Sequence, residues 1–171
     1  MVSCLSHYSG PLFSKKVIIS GVRLPVKSFE IEILDSRESV DERKIAIPNF
    51  TNRFAHDRVN PPLPDSLSTV LKQSIQFVKL TGEKDIKLRI EIIEAFQIFH
   101  NADGSEVEHV KVEQVVTAID IETNREIDQI AVNCWGKKDG VDASVHHIEQ
   151  MYKEAFVQHF LKAVRNLNFE S

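Results

Sequence analysis

Seven histidines, two cysteines and one long run of mixed charges are the side chains of this chain best suited to chemistry. The densest metal-like cluster is His146–His147 followed by Glu149. A zinc-peptidase helix sets two histidines one turn apart with a glutamate between them, so that both imidazoles converge on one face. Adjacent helical residues diverge by about 100°, so this pair reads as solvated helix surface and no catalytic metal is expected. His109 alternates within a strand pattern and His159 lies at the edge of a helical stripe, settings in which a lone histidine is packed or solvated. The sequence has no glycine-rich phosphate loop, no Cys-x-x-Cys pair and no Gly-x-Ser-x-Gly elbow. No catalytic residue is assigned and no cofactor is expected.

Two cysteines form a bridge in an oxidising compartment or stand as unrelated thiols, and their count does not decide between these. Cys134 follows an apolar strand pattern beside Trp135, where a buried, inert thiol is expected. Cys4 stands in "MVSCLSHYSG". Small and hydrophobic residues before it, Val2 and Ser3, match the cleavage box of a bacterial lipoprotein, although no charged stretch or apolar run stands before them here. On that reading Cys4 is a lipid attachment point. Residues 1–14, with the Ser, Gly and Pro content of "LSHYSGPLFS", are then a flexible tether.

A third group lies between Asp35 and Pro64. Asp35, Glu38, Asp41 and Glu42 mix with Arg37 and Arg43, and Phe50 and Phe54 follow among Asn49, Asn52, Arg53, His56 and Arg58. Aromatic and polar groups together suit recognition of a partner, and we take Asp35, Arg37, Phe50, Arg53, Phe54 and Arg58 as a candidate binding loop. The structural alternative is a solvated surface excursion whose aromatics pin it to the domain.

The elements that must position these groups follow from periodicity. Phe29, Ile31 and Ile33 alternate with Glu30 and Glu32, giving a half-buried strand, and "KKVIISG" (15–21) reads as a short extended lead-in. The stretch from Asp35 contains Pro48, Pro61, Pro62 and Pro64 and forms a long loop, with one short strand at Lys44–Ile47. Asp65 or Ser66 caps a helix from Leu67, with apolar positions through Val78, that stops by Thr81–Gly82. Turn residues at Asn101–Gly104 and Thr123–Asn124 then join three long strands into a meander. In the first of these, Ile86 to Ile92 share one face while Ile93 and Phe99 change phase, which calls for a bulge or a strand covered on both faces. Trp135, near the end of the third, is expected to pack against the last helix, an apolar stripe from about Asp142 through Phe156 and Phe160 to Leu167.

The order strand, helix, meander, helix predicts an α+β domain over residues 15–171, an antiparallel sheet of about four strands with two helices packed on one face. A formal net charge of −4 and the lack of a basic stripe argue against a nucleic-acid partner. With no stretch of about eighteen apolar residues, the sequence contains no transmembrane segment.

An amphipathic first strand ending in Asp-x-Arg ("EILDSRES", Asp35 and Arg37), then a proline-bearing loop, a helix, a meander and a long last helix, resembles a group of small bacterial envelope lipoproteins. These are the YajG-type lipoproteins, the lipopolysaccharide-assembly lipoprotein LptE and the auxiliary lipoproteins of ABC-type transport. The resemblance covers roughly residues 15–168 and departs from the pattern where "FVKLTGEK" follows the first helix. It implies a non-enzymatic module in transport or assembly that faces the periplasm, is held to the outer membrane through Cys4 and binds an envelope protein, lipid or glycan. The competing readings are a soluble cytosolic α+β enzyme with its site in the 35–64 loop and a cytosolic interaction domain that dimerises through a strand edge.

Overall fold

The computed structural model describes residues 2–7, 23–41, 58–60, 62–63, 67–75, 79–102, 105–139 and 145–169. Its backbone is a three-strand meander, β6 (Asp85–Ala102), β7 (Ser105–Asp120) and β8 (Glu126–Asp139), covered by α1 (Leu67–Ile75) and α2 (Val145–Asn166). The β7–β8 turn is closed by two bonds, from Thr123 N to Asp120 Oδ1 at 2.9 Å and from Asp120 N to Arg125 O at 2.9 Å. Asn124 takes φ 54° there, a left-handed conformation that asparagine tolerates because its side chain can bond locally. The α+β architecture and the meander agree with the periodicity, and the 103–104 turn, the 15–21 lead-in and the 44–47 strand lie outside the described residues.

Pairing within the meander is antiparallel, but the sheet as a whole is mixed. β3 (Ser28–Asp35) pairs with β6 in parallel, from Ser28↔Asp85 to Asp35↔Ile92. The physical reason is the intervening connection through α1, a crossover long enough to return the chain in the same direction. On the far edge β1 (Val2–His7) runs parallel to β8, so part of the stretch expected as a tether is a strand. β4 (Arg58–Val59) adds two residues against Ile98 and Gln97. The strand order among the described residues is β1-β8-β7-β6-β3, with β4 sharing β6's outer edge with β3.

The phase change in β6 is a bulge: Ile92 pairs with Gln114 and Glu94 with Glu113, which leaves Ile93 without a partner in the β7 ladder. Before it Ile86, Leu88, Ile90 and Ile92 face the helices, and after it Ala95 and Gln97 do. These meet Val110, Val112, Val116 and Val132 from the neighbouring strands and Met151, Phe156 and Phe160 from α2 in one core. Phe29, Ile31 and Ile33 pack on its margin, as their alternation requires. α2 lies on β7 and β8 and against α1. No helix among the described residues is long and apolar enough to cross a membrane.

α1 ends at Ile75, and Lys79–Leu80 forms β5, which pairs in parallel with β2 (Arg23–Leu24). Gly82 marks the reason the chain turns away: its N donates to Val26 O at 3.1 Å. A Cβ on Gly82 would stand 2.0 Å from Pro25 O and 2.2 Å from Pro25 C, a collision with backbone that no rotamer relieves. Gly82→Ala is therefore expected to cost about 1–3 kcal/mol, read as a melting midpoint several degrees lower in thermal unfolding.

Candidate binding surface

The Asp-x-Arg motif sits where the outer edge of β6 loses its ladder. β3 stops pairing at Ile92 and β4 begins at Gln97, leaving the backbone of the bulge between them. Ser36 N reaches Ile92 O at 3.0 Å, and its Oγ reaches Glu91 Oε1 at 2.7 Å. The Arg37 side chain, 3% exposed, then donates Nη1–H to Ala95 O at 3.2 Å. Its Nε and Nη2 clasp Asp35 Oδ1 and Oδ2 at 2.8 and 2.7 Å in a bidentate fork. The guanidinium thus satisfies a carbonyl in the gap between the described pairs of β3 and β4. The hydrogen bonds from Arg37 hold the Asp35 carboxyl below its ordinary pKa, against the opposing effect of burial.

The loop that follows is tied at its neck. Asp41 N donates to Asn60 O at 2.8 Å, Asn60 N donates to Asp41 Oδ2 at 2.7 Å, and Asn60 Nδ2 donates to Ser39 Oγ at 3.0 Å. Two positions 19 residues apart are thereby joined. Glu38 and Val40 are exposed at this neck. Of the six candidate loop residues, Asp35 and Arg37 come together as the clamp and Arg58 enters β4, while Phe50, Arg53 and Phe54 lie outside the described residues.

One residue beyond Ala95, on the sheet face opposite the helices, the structure assembles a group that sequence reasoning does not find. Phe96 and Trp135 meet edge to face with ring centroids 5.5 Å apart and planes at 82°. Lys111 Nζ lies 5.7 Å from the Phe96 centroid and 5.8 Å from that of Trp135, within cation–π range of both. It also pairs with Glu94 and, at 3.4 Å, with Glu113, and its side chain is 14% exposed. Asn133 Nδ2 donates to Glu113 Oε2 at 3.3 Å, and the His109 ring stands 6.4 Å from Trp135.

Trp135 therefore does not pack on the last helix. Its register partner is Lys111, which lies between the buried, inward Val110 and Val112 and so belongs to the other face. His159 is also placed differently from expectation: it is 1% exposed, inside the core rather than at a stripe edge. Cys4, the proposed lipid site, lies in β1, and its register partner is Cys134.

Phe96 is buried, at 4% exposed, so what this face offers chemically is a half-buried Trp135 seated on it and a lysine flanked by two carboxylates. Among the described residues no group of three or more His, Cys, Asp or Glu side chains is placed to hold a metal ion. This arrangement suits contact and recognition.

No protein-family model matches the chain, and no curated protein matches it significantly. Among solved structures, a Xanthomonas campestris protein of the DUF330 family aligns over 93% of this chain and 91% of its own, with 9% identity and a TM-score of 0.44. A putative neuraminyllactose-binding hemagglutinin homologue from Helicobacter pylori aligns over 89% of this chain and 92% of its own, with 10% identity and a TM-score of 0.43.

Proposed function

We propose that this chain is a non-enzymatic accessory module of the bacterial cell envelope that binds a partner in transport or assembly through the 35–64 loop and the sheet face beside it. The observation that carries the binding assignment is the closed neck: Asp41 and Asn60 hold the two ends of the loop together while Arg37 fixes its root to Ala95. The bonds between Asp41 and Asn60 order the neck in advance, which lowers the conformational cost of docking a partner there. Beside that root the half-buried Trp135, packed on the buried Phe96 and next to Lys111, is the kind of aromatic anchor that dominates binding energy at interfaces. The envelope setting rests on the Asp-x-Arg strand and on the element order shared with small envelope lipoproteins.

The test is site-specific photocrosslinking in cells that make the protein, with the crosslinking residue at Glu38 on the neck or at Lys72 on α1, both exposed. A discrete adduct in the envelope fraction from position 38, with none from position 72, is the expected result. Trp135→Ala should reduce its yield at least tenfold, in line with the loss of about 2 kcal/mol typical of an aromatic anchor. Equal labelling from both positions, or a chain confined to the soluble cytoplasmic fraction, would overturn the assignment.

A further inference from the structure

Five large apolar side chains are exposed among the described residues, and three of them, Leu34 at 40%, Val40 at 44% and Ile93 at 39%, lie around the bulge of β6. Single exposed aliphatics are ordinary on a protein surface, whereas several at one edge mark a contact site. Leu34 follows Ile33, which packs on the core margin, so it belongs to the sheet face away from the helices, where its register partner is Glu91. Ile93, two residues beyond Glu91, is the bulge residue outside the β7 ladder. Val40 belongs to the segment along the same edge, between Arg37, which donates to Ala95 O, and Asp41, which is bonded to Asn60. Each aliphatic therefore has a carboxylate beside it: Glu91 next to Leu34 and Ile93, and Glu38 two residues before Val40. Of the neighbouring carboxylates, Glu32 pairs with Arg89 and Asp35 with Arg37, while Glu94 and Glu113 share Lys111. Glu91 accepts the Ser36 hydroxyl and Glu38 is exposed, and neither has a cation partner among the described residues.

We infer that this patch docks a segment of a partner protein in which lysine or arginine side chains flank apolar ones. This rests on the partner-binding role proposed above and adds the chemistry of the partner. The segment's apolar side chains cover Leu34, Val40 and Ile93, which removes exposed aliphatic surface from water. Its cations come to Glu91 and Glu38, which would otherwise be desolvated on docking without gaining a partner. An acidic segment or an anionic lipid headgroup sets like charge against those carboxylates and is rejected at close range. The apolar contacts supply most of the affinity and the charges most of the selectivity, because an exposed ion pair is weak by itself. The Arg37 clamp and the Asp41–Asn60 bonds fix both ends of the stretch that carries Glu38 and Val40, so little ordering is left for the docking step.

The full chain is titrated into a fluorescently labelled peptide of alternating leucine and lysine, with binding followed by anisotropy. Saturable binding is expected, several-fold weaker at about 300 mM than at about 50 mM sodium chloride. Leu34→Ser combined with Ile93→Ser should weaken it about tenfold or more. Both positions are exposed, so the melting midpoint of this variant should stay in place and show that the fold is intact. Glu91→Gln keeps an oxygen for the Ser36 hydroxyl and should weaken binding about threefold. Glu122→Gln, the same change of charge in the exposed β7–β8 turn, should leave it unaltered. Equal losses from the two glutamine variants would mean that only bulk charge is felt and would overturn the inference. So would unchanged binding by the double serine variant, or equally tight binding of a leucine–glutamate peptide or of phosphatidylglycerol vesicles. In cells the two readings fail separately. An adduct from position 38 that is a lipid, a glycan or an acidic protein sinks the basic partner and keeps the envelope module. Peptide binding as expected, with no adduct in the envelope fraction, supports the patch and counts against the envelope setting.

Discussion

Phe156→Ala is expected to destabilise the domain by about 3–5 kcal/mol, which approaches the whole stability of many natural domains. The Phe156 side chain is 0% exposed and lies in the core formed by β6, β7, β8 and α2. Its ring stacks on Tyr152 with centroids 6.4 Å apart and planes at 28°. Its carbonyl also accepts the Gln114 side chain at 3.4 Å, so the same turn of helix carries both apolar packing and a polar link to β7. Truncation removes the ring and leaves a cavity that strands paired on both sides cannot close by shifting. Chemical denaturation should show a lower midpoint with little change in slope, because the surface exposed on unfolding is almost the same. A loss below about 1 kcal/mol would mean that α2 does not seat on the sheet through this residue.

That helix is legible in the sequence because an apolar stripe repeating every 3.6 residues over many turns suits an amphipathic helix and no strand. The meander is legible from its turn residues. The neighbours of the meander are not. Alternation in β3 fixes which residues face the core but says nothing about which strand lies alongside, so its parallel pairing with β6 depends on a crossover visible only in the fold. The bulge at Ile92/Glu94 shows in the sequence as a change of phase that a doubly covered strand would equally produce. Placing Trp135 on the helix face assumes that a large aromatic seeks the core. Counting alternate positions from the inward Val132 places it on the outer face, and that signal is present in the sequence. Arg37 reads as part of a binding loop, but its hold on Ala95 answers a gap in the sheet edge between β3 and β4 that no sequence pattern reveals.

His159 shows how the same limits lead to a measurable property. A single sheet contact buries one stripe of a helix, which would leave this residue at the margin. Here α1 also packs against α2, and Val157, Leu161 and Val164 are buried as well, so the buried arc widens past the stripe and includes the imidazole. Its Nδ1 has no hydrogen-bond partner among the described residues. Burial, with Lys162 as a smaller contribution, lowers its pKa from 6.5 to about 3. The sign follows from proton uptake. Below pH 6.5 the unfolded chain binds a proton at this site that the folded chain refuses until about pH 3, so stability is complete above the unfolded value and is lost as pH falls through that window. The slope approaches about 1.4 kcal/mol per pH unit, so roughly 3 kcal/mol is lost by about pH 4.5 from this side chain alone. Glu154 on the same helix acts in the opposite direction, since burial raises its pKa and its protonation favours the folded state on acidification. The measurement is therefore the difference between the parent and His159→Leu, with denaturant unfolding followed from pH 7.5 to 4.5. Leucine fills a similar volume and removes a buried nitrogen that has no partner among the described residues, so the variant should be near neutral at pH 7.5. At pH 4.5 it should be the more stable of the two by about 3 kcal/mol. Parallel acid profiles for the two proteins would show that the imidazole is protonated, and hence solvated, in the folded chain.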